Sequence, residues 1–388
     1  MTIDVVLDGE RVPIVRAVFE ALLENSVASD YVAYHNAVDK GSIKFKNLVF
    51  LATKGEIPYS LFFAPLPLVE TQIETKTAKL LEGVGKSTFS VNSRDVVELR
   101  SIELIVKDLL RKQALLKKHD DTLARNEIVG LLGRPGRPVE EDAAKLMRAI
   151  GLTHTAMRTA KNKQTALEHL IERLEANQIL VSRSVNNFMP QRLKKKFSGM
   201  TIKDHKVPYI FLASESDREE PFGRQVFTLT LLTVLIARKI FAPVTYDAKS
   251  TGLSPGPEFE IVGEILMPTG EISRLPLASL DEIVAAAEEF KVTPSAMTVR
   301  AMRLKRIDIE TANHHLDELA RRHADRPKST ARNPLPVNAV KKYAGRELSS
   351  RMFDVLDTGK LSPGQFCQAV CLNKLKPSQL NEFRVAVQ

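Results

Sequence analysis

At 388 residues and 44% hydrophobic content, the chain has the length of two or three domains and enough apolar material to fill their cores. Its net charge of +9 is a mild excess spread over many residues, which suits a nucleic-acid surface or an acidic protein partner and decides for neither. Two cysteines, Cys367 and Cys371, rule out a disulfide framework and point to a reducing compartment, and their i, i+4 spacing reads as two small apolar residues on one helix. No basic, apolar and small-residue signal opens the chain and no apolar run reaches spanning length, so a soluble cytoplasmic protein without membrane contact is expected.

Residues 1–68 read as a small helical unit, with helices over Val12 to Leu23, Asp30 to Val38 and, after the Gly41-Ser42 break, Ile43 to Lys54. The segment from Gly41 to Pro65, with its Ile57-Pro58 step and the close Phe62-Phe63-Ala64-Pro65, resembles the last helices of a Cro/repressor-type helix-turn-helix domain. The resemblance implies a recognition helix near Ser29 to Asn36, where Asp30, Tyr31, Tyr34, His35 and Asn36 stand. An acidic residue and no arginine there make a weak phosphate contact, so reuse of the scaffold for protein contact stays open beside DNA binding.

Residues 69–137 read as a connector. Thr71 to Gly85 is polar and poorly periodic, whereas Asp95 to Lys118 carries a long apolar stripe from Val96 to Leu115 and predicts an amphipathic helix. The string Gly133 to Pro138, GRPGRP, is similar to the core of an AT-hook. Glu140, Glu141 and Asp142 follow at once, and the string is read as a linker with Pro138 opening the next helix.

Residues 138–308 hold the part around which the rest is organised. Helices are expected over Val139 to Ile150 and Thr165 to Asn177, then short strands over Ile179 to Ser184, Phe197 to Asp204 and Val207 to Ser214. Between the first two strands lies the sharpest basic cluster, Arg192, Lys194, Lys195 and Lys196, a solvated face or a phosphate contact. Phe227 to Ala237, FTLTLLTVLIA, is the longest nearly uncharged run; it is too short for a bilayer and reads as a buried helix. The prolines and glycine of Pro255-Gly256-Pro257, the carboxylates Glu258 and Glu260, and the string Glu264 to Pro268 follow. Leu280 to Phe290 and Pro294 to Leu304 then form a helical pair joined by Lys291-Val292-Thr293, with Arg300, Arg303, Lys305 and Arg306 crowded at its second helix.

The strand order, Arg224, the FTL string, the Leu-Met-Pro ending and the closing helical pair resemble the ImmA/IrrE metallopeptidase family over residues 165–307. That resemblance implies a zincin-like scaffold, α+β and mostly helical, with a small β-sheet and flanking helical domains. It also implies two zinc-binding histidines and a water-activating glutamate on the FTL helix. Those positions fall on Leu231, Leu235 and Leu232, none of which binds a metal or moves a proton. The implied third, acidic ligand falls in the window that Pro255, Gly256 and Pro257 occupy. Glu258 and Glu260 lie near it, and carboxylates alone make a poor zinc site. No His-x-x-x-His pair occurs in the sequence, so the reading is a scaffold with no catalytic residue, no metal and no cofactor. The resemblance gives the closing helical pair helix-turn-helix character, and its four cations are the better DNA or partner contact.

Residues 309–336 read as a polar helix with His314, His315 and His323, taken as surface histidines, followed by a linker. Residues 337–388 read as a helical module. Its Asp357 to Gln365 string lacks the carboxylates of a calcium loop.

The expected function is a non-catalytic regulatory binding protein. Family members that pair the two domains act on repressors or accompany toxin genes, which implies a protein encoded in the same operon as the partner. That partner would be a toxin in a toxin-antitoxin or phage-defence module, with promoter binding to double-stranded DNA as a second activity. The alternative is a stand-alone DNA-binding transcriptional regulator, and a metallopeptidase with a displaced metal site ranks last. No Gly-rich phosphate loop and no nucleophile with a placed base supports an enzyme of another kind.

Overall fold

A computed structural model describes the chain except residues 25, 84–88, 91–101, 194–197, 214–220, 246–255 and 326–333. It is 61% helical, with two small mixed β-sheets flanked by helices. It divides into two compact units, the first formed by residues 1–83, 97–109 and 190–195, the second by 84–96, 110–189 and 196–388. The segments 138–308 and 337–388 thus lie in one unit. No helix among the described residues is long and apolar enough to cross a membrane.

The first unit opens with a hairpin rather than a helix. Strands β1 (Thr2–Leu7) and β2 (Glu10–Val15) pair antiparallel about Asp8-Gly9, both at positive φ (50° and 88°). Asp-Gly flanked by alternating apolar residues is a strong hairpin signal, and here Ile3, Val5 and Ile14 turn inward. The first four residues of the helix expected over Val12 to Leu23 are therefore strand, and α1 begins only at Arg16 (Arg16–Glu24). A 3₁₀ turn (Val27–Asp30) leads to α2 (Val32–Lys40). The helix expected from Ile43 is likewise split. Ser42–Lys44 forms β3, drawn into parallel pairing by the free edge of β1, and α3 covers Phe45–Lys54. After a second 3₁₀ turn (Tyr59–Phe63), α4 (Leu66–Gly83) replaces the expected connector. Its polar residues are consistent with a helix because Thr71 and Thr75 bond back to the carbonyls of Pro67 and Thr71 (2.9 and 2.8 Å), while Val69 and Leu80 are buried.

The second unit is built on a five-stranded sheet of order β4-β8-β6-β7-β5. Its strands are β4 (Phe89–Ser90), β5 (Leu180–Arg183), β6 (Gly199–Ile202), β7 (Tyr209–Leu212) and β8 (Pro243–Thr245). Helix α5 (Glu103–His119) contributes to both units; the N-terminal end expected from Asp95 lies outside the described residues. Helices α6 (Val139–Ile150), α7 (His154–Arg158) and α8 (Lys163–Glu175) precede the sheet, and α9 (Phe222–Ala237) follows β7.

Val181, Ile210 and Leu212 join the core of α8 and α9 on one face of the sheet. Side chains alternate along a strand, so Leu180, Ser182, Tyr209 and Phe211 point to the other face, where they too are buried. Both faces are covered, which is why β7 reads as an uninterrupted apolar run.

Next come α10 (Pro257–Leu266), α11 (Thr269–Ile272), α12 (Leu280–Glu289), α13 (Pro294–Arg303) and α14 (Ile309–Ala324). The chain closes with α15 (Pro336–Ala344), α16 (Arg346–Asp357), α17 (Pro363–Ala369) and α18 (Leu380–Val387). Phe353, Phe366 and Phe383 cluster in this last group, Phe353 stacked on Phe366 with Phe383 tilted against both, and Cys367 and Cys371 are buried.

Candidate functional site

Helix α9 packs against α8, α10, β6 and β7 and is buried on nearly every side. Its three central threonines are tolerated there because each hydroxyl bonds to the carbonyl four residues back: Thr228 to Arg224, Thr230 to Val226 and Thr233 to Leu229, at 2.8–2.9 Å. Leu231, Leu232 and Leu235 are 0% exposed. A Cβ added at Gly199 of β6 would come within 2.8 Å of the Leu232 side chain, so that leucine fills the space against the sheet.

Leu231, Leu235 and Arg238 share one face of the helix at i, i+4, i+7. The Arg238 guanidinium is buried. It donates to Asp142 of α6 at 2.6 Å and to the carbonyls of Leu132 and Gly133 at 3.0 and 3.3 Å, and lies 3.9 Å from Glu258 of α10. The other two carboxylates of α10 are met by Arg300: Nη2 lies 2.5 Å from Glu264 and Nη1 3.4 Å from Glu260. Arg300 Nε also donates to the Met267 carbonyl at 3.0 Å, and Nη2 to the Thr269 hydroxyl at 3.0 Å. Glu258, Glu260 and Glu264 therefore face guanidinium groups. Among the described residues, no group of three or more His, Cys, Asp or Glu side chains is placed to hold a metal.

This geometry corrects the assignment of Arg300 as a DNA or partner contact. It is 5% exposed and joins α13 to α10 and α11. Helix α13 itself cannot enter a groove, because Ser295 is its only exposed residue and α12 and α14 pack along it. Arg303 is half-buried and lies 3.6 Å from Glu260; burial, with Arg300 nearby, lowers its pKa. Lys305 and Arg306 are exposed, and Arg306 donates to the Leu275 carbonyl at 3.2 Å. With Arg303 they line an open concavity of about 690 Å³ that also includes Asp308. Arg192 is exposed and belongs to the first unit, while Lys194, Lys195 and Lys196 lie outside the described residues.

In the first unit, α2 presents Val32, His35, Asn36, Asp39 and Lys40 to solvent. Tyr34, expected on that surface, is buried instead. It stacks on Phe19 (centroids 5.7 Å apart) with its hydroxyl 3.4 Å from Glu24, and burial together with that carboxylate pushes its pKa up to about 12. Residues 1–83 carry eleven Asp and Glu against eight Lys and Arg, so this segment is mildly acidic within a basic chain, although the whole first unit, with fourteen acidic and thirteen basic residues, is near neutral. It also holds much of the exposed apolar surface, including Val12, Val32, Phe50, Tyr59, Phe63 and Leu68.

Of the three histidines expected at the surface, one is not there. His314 and His323 are exposed, but His315 is buried with Nε2 3.3 Å from the Ala278 carbonyl. Asp357, at the head of the Asp357 to Gln365 string, is clasped by Arg384 through two 2.7 Å bonds.

The sequence reading missed Arg238, Asp142 and Glu175 as buried charges. Arg238 was legible in principle, one turn beyond Leu235 on the same face. Asp142 was hidden in an acidic run, and Glu175 at an ordinary helix end.

The arrangement is that of a mostly helical α and β protein with a buried central helix and two internal arginines. Comparison of the chain with known protein families, with curated proteins and with solved structures finds no match.

Proposed function

We propose that this chain is a non-catalytic regulatory binding protein built on an ImmA/IrrE-like, zincin-type scaffold. It acts by direct contact with a protein encoded beside it, in the manner of an antitoxin or operon regulator. One observation carries the reading: Leu231, Leu232 and Leu235, at the positions where the resemblance places two histidines and a glutamate, are wholly buried packing residues. Guanidinium groups neutralising Glu258, Glu260 and Glu264 support it, because they answer the negative charge that a metal would otherwise balance. The mildly acidic, apolar-rich segment of residues 1–83 favours protein contact over DNA contact for that segment, since phosphate binding needs cations.

The test is affinity purification of the tagged chain from its native host, with and without nuclease, followed by zinc analysis. A stoichiometric, nuclease-resistant product of a neighbouring gene is the expected result. One zinc per chain with chelator-sensitive cleavage of a partner would overturn the reading.

The concavity bearing Arg303, Lys305 and Arg306 favours one second reading, a DNA-binding transcriptional regulator. It requires affinity for the promoter fragment to fall steeply with salt as counterions are released, and to weaken in K305A/R306A. Binding indifferent to salt refutes it.

A further inference from the structure

The last four helices are seated on the sheet through a seam with a buried carboxylate at its centre. Ser182 of β5 donates its hydroxyl to the Tyr343 carbonyl, and the Tyr209 hydroxyl of β7 donates to the Ala344 carbonyl at 3.2 Å. Beside this seam Lys112 of α5 places its ammonium 4.3 Å from the centre of the Tyr343 ring, and Arg351 of α16 reaches Asp120 at 2.7 Å. Gly345 follows at φ +86°; a Cβ there would stand 2.7 Å from the Val181 carbonyl and 3.2 Å from Glu175 Oε1. Glu175, at the end of α8 and 5% exposed, accepts the backbone N–H of Arg346 at 3.1 Å and is also bonded by the backbone of Glu347. Its carboxyl therefore faces the first turn of α16.

We propose that docking of the C-terminal helices on the five-stranded sheet is proton-linked through Glu175, closed when that carboxyl is protonated and loosened when it ionises. Charged groups approach it from two elements, β5 and α16, and each cation among them is committed elsewhere. Arg183 of β5 is held by Glu168 at 2.6 and 3.2 Å. Arg346 of α16 turns its guanidinium to the Val387 and Gln388 carbonyls and to Glu172 of α8 at 3.5 Å. Glu347 of α16 pairs with Arg351 at 2.6 Å and adds negative charge near the site. Burial is thus the dominant influence and pushes the Glu175 pKa up to about 8 from an ordinary 4.5, despite the backbone donors and Arg183.

The sign follows from linkage. The docked state holds the proton more tightly than the undocked state, so the contribution of Glu175 to docking is fully present below pH 4.5. It weakens as pH rises from 4.5 through about 8 and then levels off. With those two values, the docking constant falls about 50-fold between pH 6 and pH 8. Loosening uncovers the part of the sheet where Ser182 and Tyr209 bond to the Tyr343 and Ala344 carbonyls.

The experiment is hydrogen exchange of the full-length chain from pH 5 to pH 9, read on peptides within 346–387. Rates are divided by their intrinsic values and compared with peptides of α9 as an internal reference. In the wild type, protection of 346–387 is expected to fall by about 50-fold from pH 6 to pH 8 relative to α9; in E175Q the fall disappears, while E172Q retains it. A flat wild-type profile, or the same fall in E175Q, overturns the proposal. Should E175Q not fold, the wild-type profile decides alone, since a change centred outside pH 4.5–8 contradicts control by this carboxyl.

Discussion

Replacing Arg300 with methionine separates a structural cation from a surface one. The guanidinium is 5% exposed and holds Glu264 at 2.5 Å, Glu260 at 3.4 Å, the Met267 carbonyl and the Thr269 hydroxyl. Methionine refills much of the aliphatic stem, so the cavity left behind is small and the loss is mainly electrostatic. Glu264 keeps the Thr269 backbone and hydroxyl donors but loses its counter-charge while only 12% of its side chain is exposed. Breaking a buried pair from one side costs about 3–5 kcal/mol. Domain stabilities are about 5–15 kcal/mol, so R300M should raise the unfolded fraction by roughly three orders of magnitude. Urea titration followed by circular dichroism reads the difference. The double variant R300M/E264Q should recover roughly 1–2 kcal/mol, because the orphaned charge goes with its partner. K305A/R306A should stay within about 0.5 kcal/mol of wild type, as exposed substitutions do. R300M within about 0.5 kcal/mol of wild type would refute the buried-pair argument and return Arg300 to the list of surface cations.

The triple substitution L231H/L232E/L235H introduces potential zinc ligands yet should destroy the fold. Each new polar group enters a position that is 0% exposed, at about 2–7 kcal/mol apiece without partners; a cooperatively folded variant binding one zinc would contradict this. G345A should cost roughly 1–3 kcal/mol, through the +86° backbone and the contact with the Val181 carbonyl. Its signature in exchange is lower protection of 346–387 with the wild-type pH profile kept. For Asp120, burial alone would raise the pKa, but bonds from Thr122 and Arg351 lower it below 3.8 overall. Its contribution is therefore present above pH 3.8 and lost as pH falls through the lower, folded value, and acid titration of D120N should lack that step.

Much of the secondary structure was legible because it depends on local pattern. The FTL run announced α9, the bounds of α6 came out residue for residue, and strands β5 to β7 and helices α12 to α14 lay within a few positions of expectation. The β1–β2 hairpin was legible too, through Asp8-Gly9, but the helical spacing of Val12 to Leu23 outweighed the turn signal. Strands β3, β4 and β8 were not legible. Each is two or three residues long and exists because a distant strand offers its edge, as Val244 does for Phe89.

The sequence by itself determined that positions 231, 232 and 235 hold leucine, which binds no metal and moves no proton, because residue identity needs no coordinates. It also determined that the central run is a buried helix, because a charge-free stretch of that length has nowhere else to go. Tertiary structure alone decided what the charges do. Arg300 and Lys305 look alike in a basic string, yet one is drawn into the core by carboxylates of α10 and the other stands in solvent. Glu175 and Arg346 are 171 positions apart, and only folding sets that carboxyl against the helix it caps. Local pattern is written in spacing along the chain. The partner of a charge is chosen by packing between segments that are distant in sequence, and spacing carries no record of it.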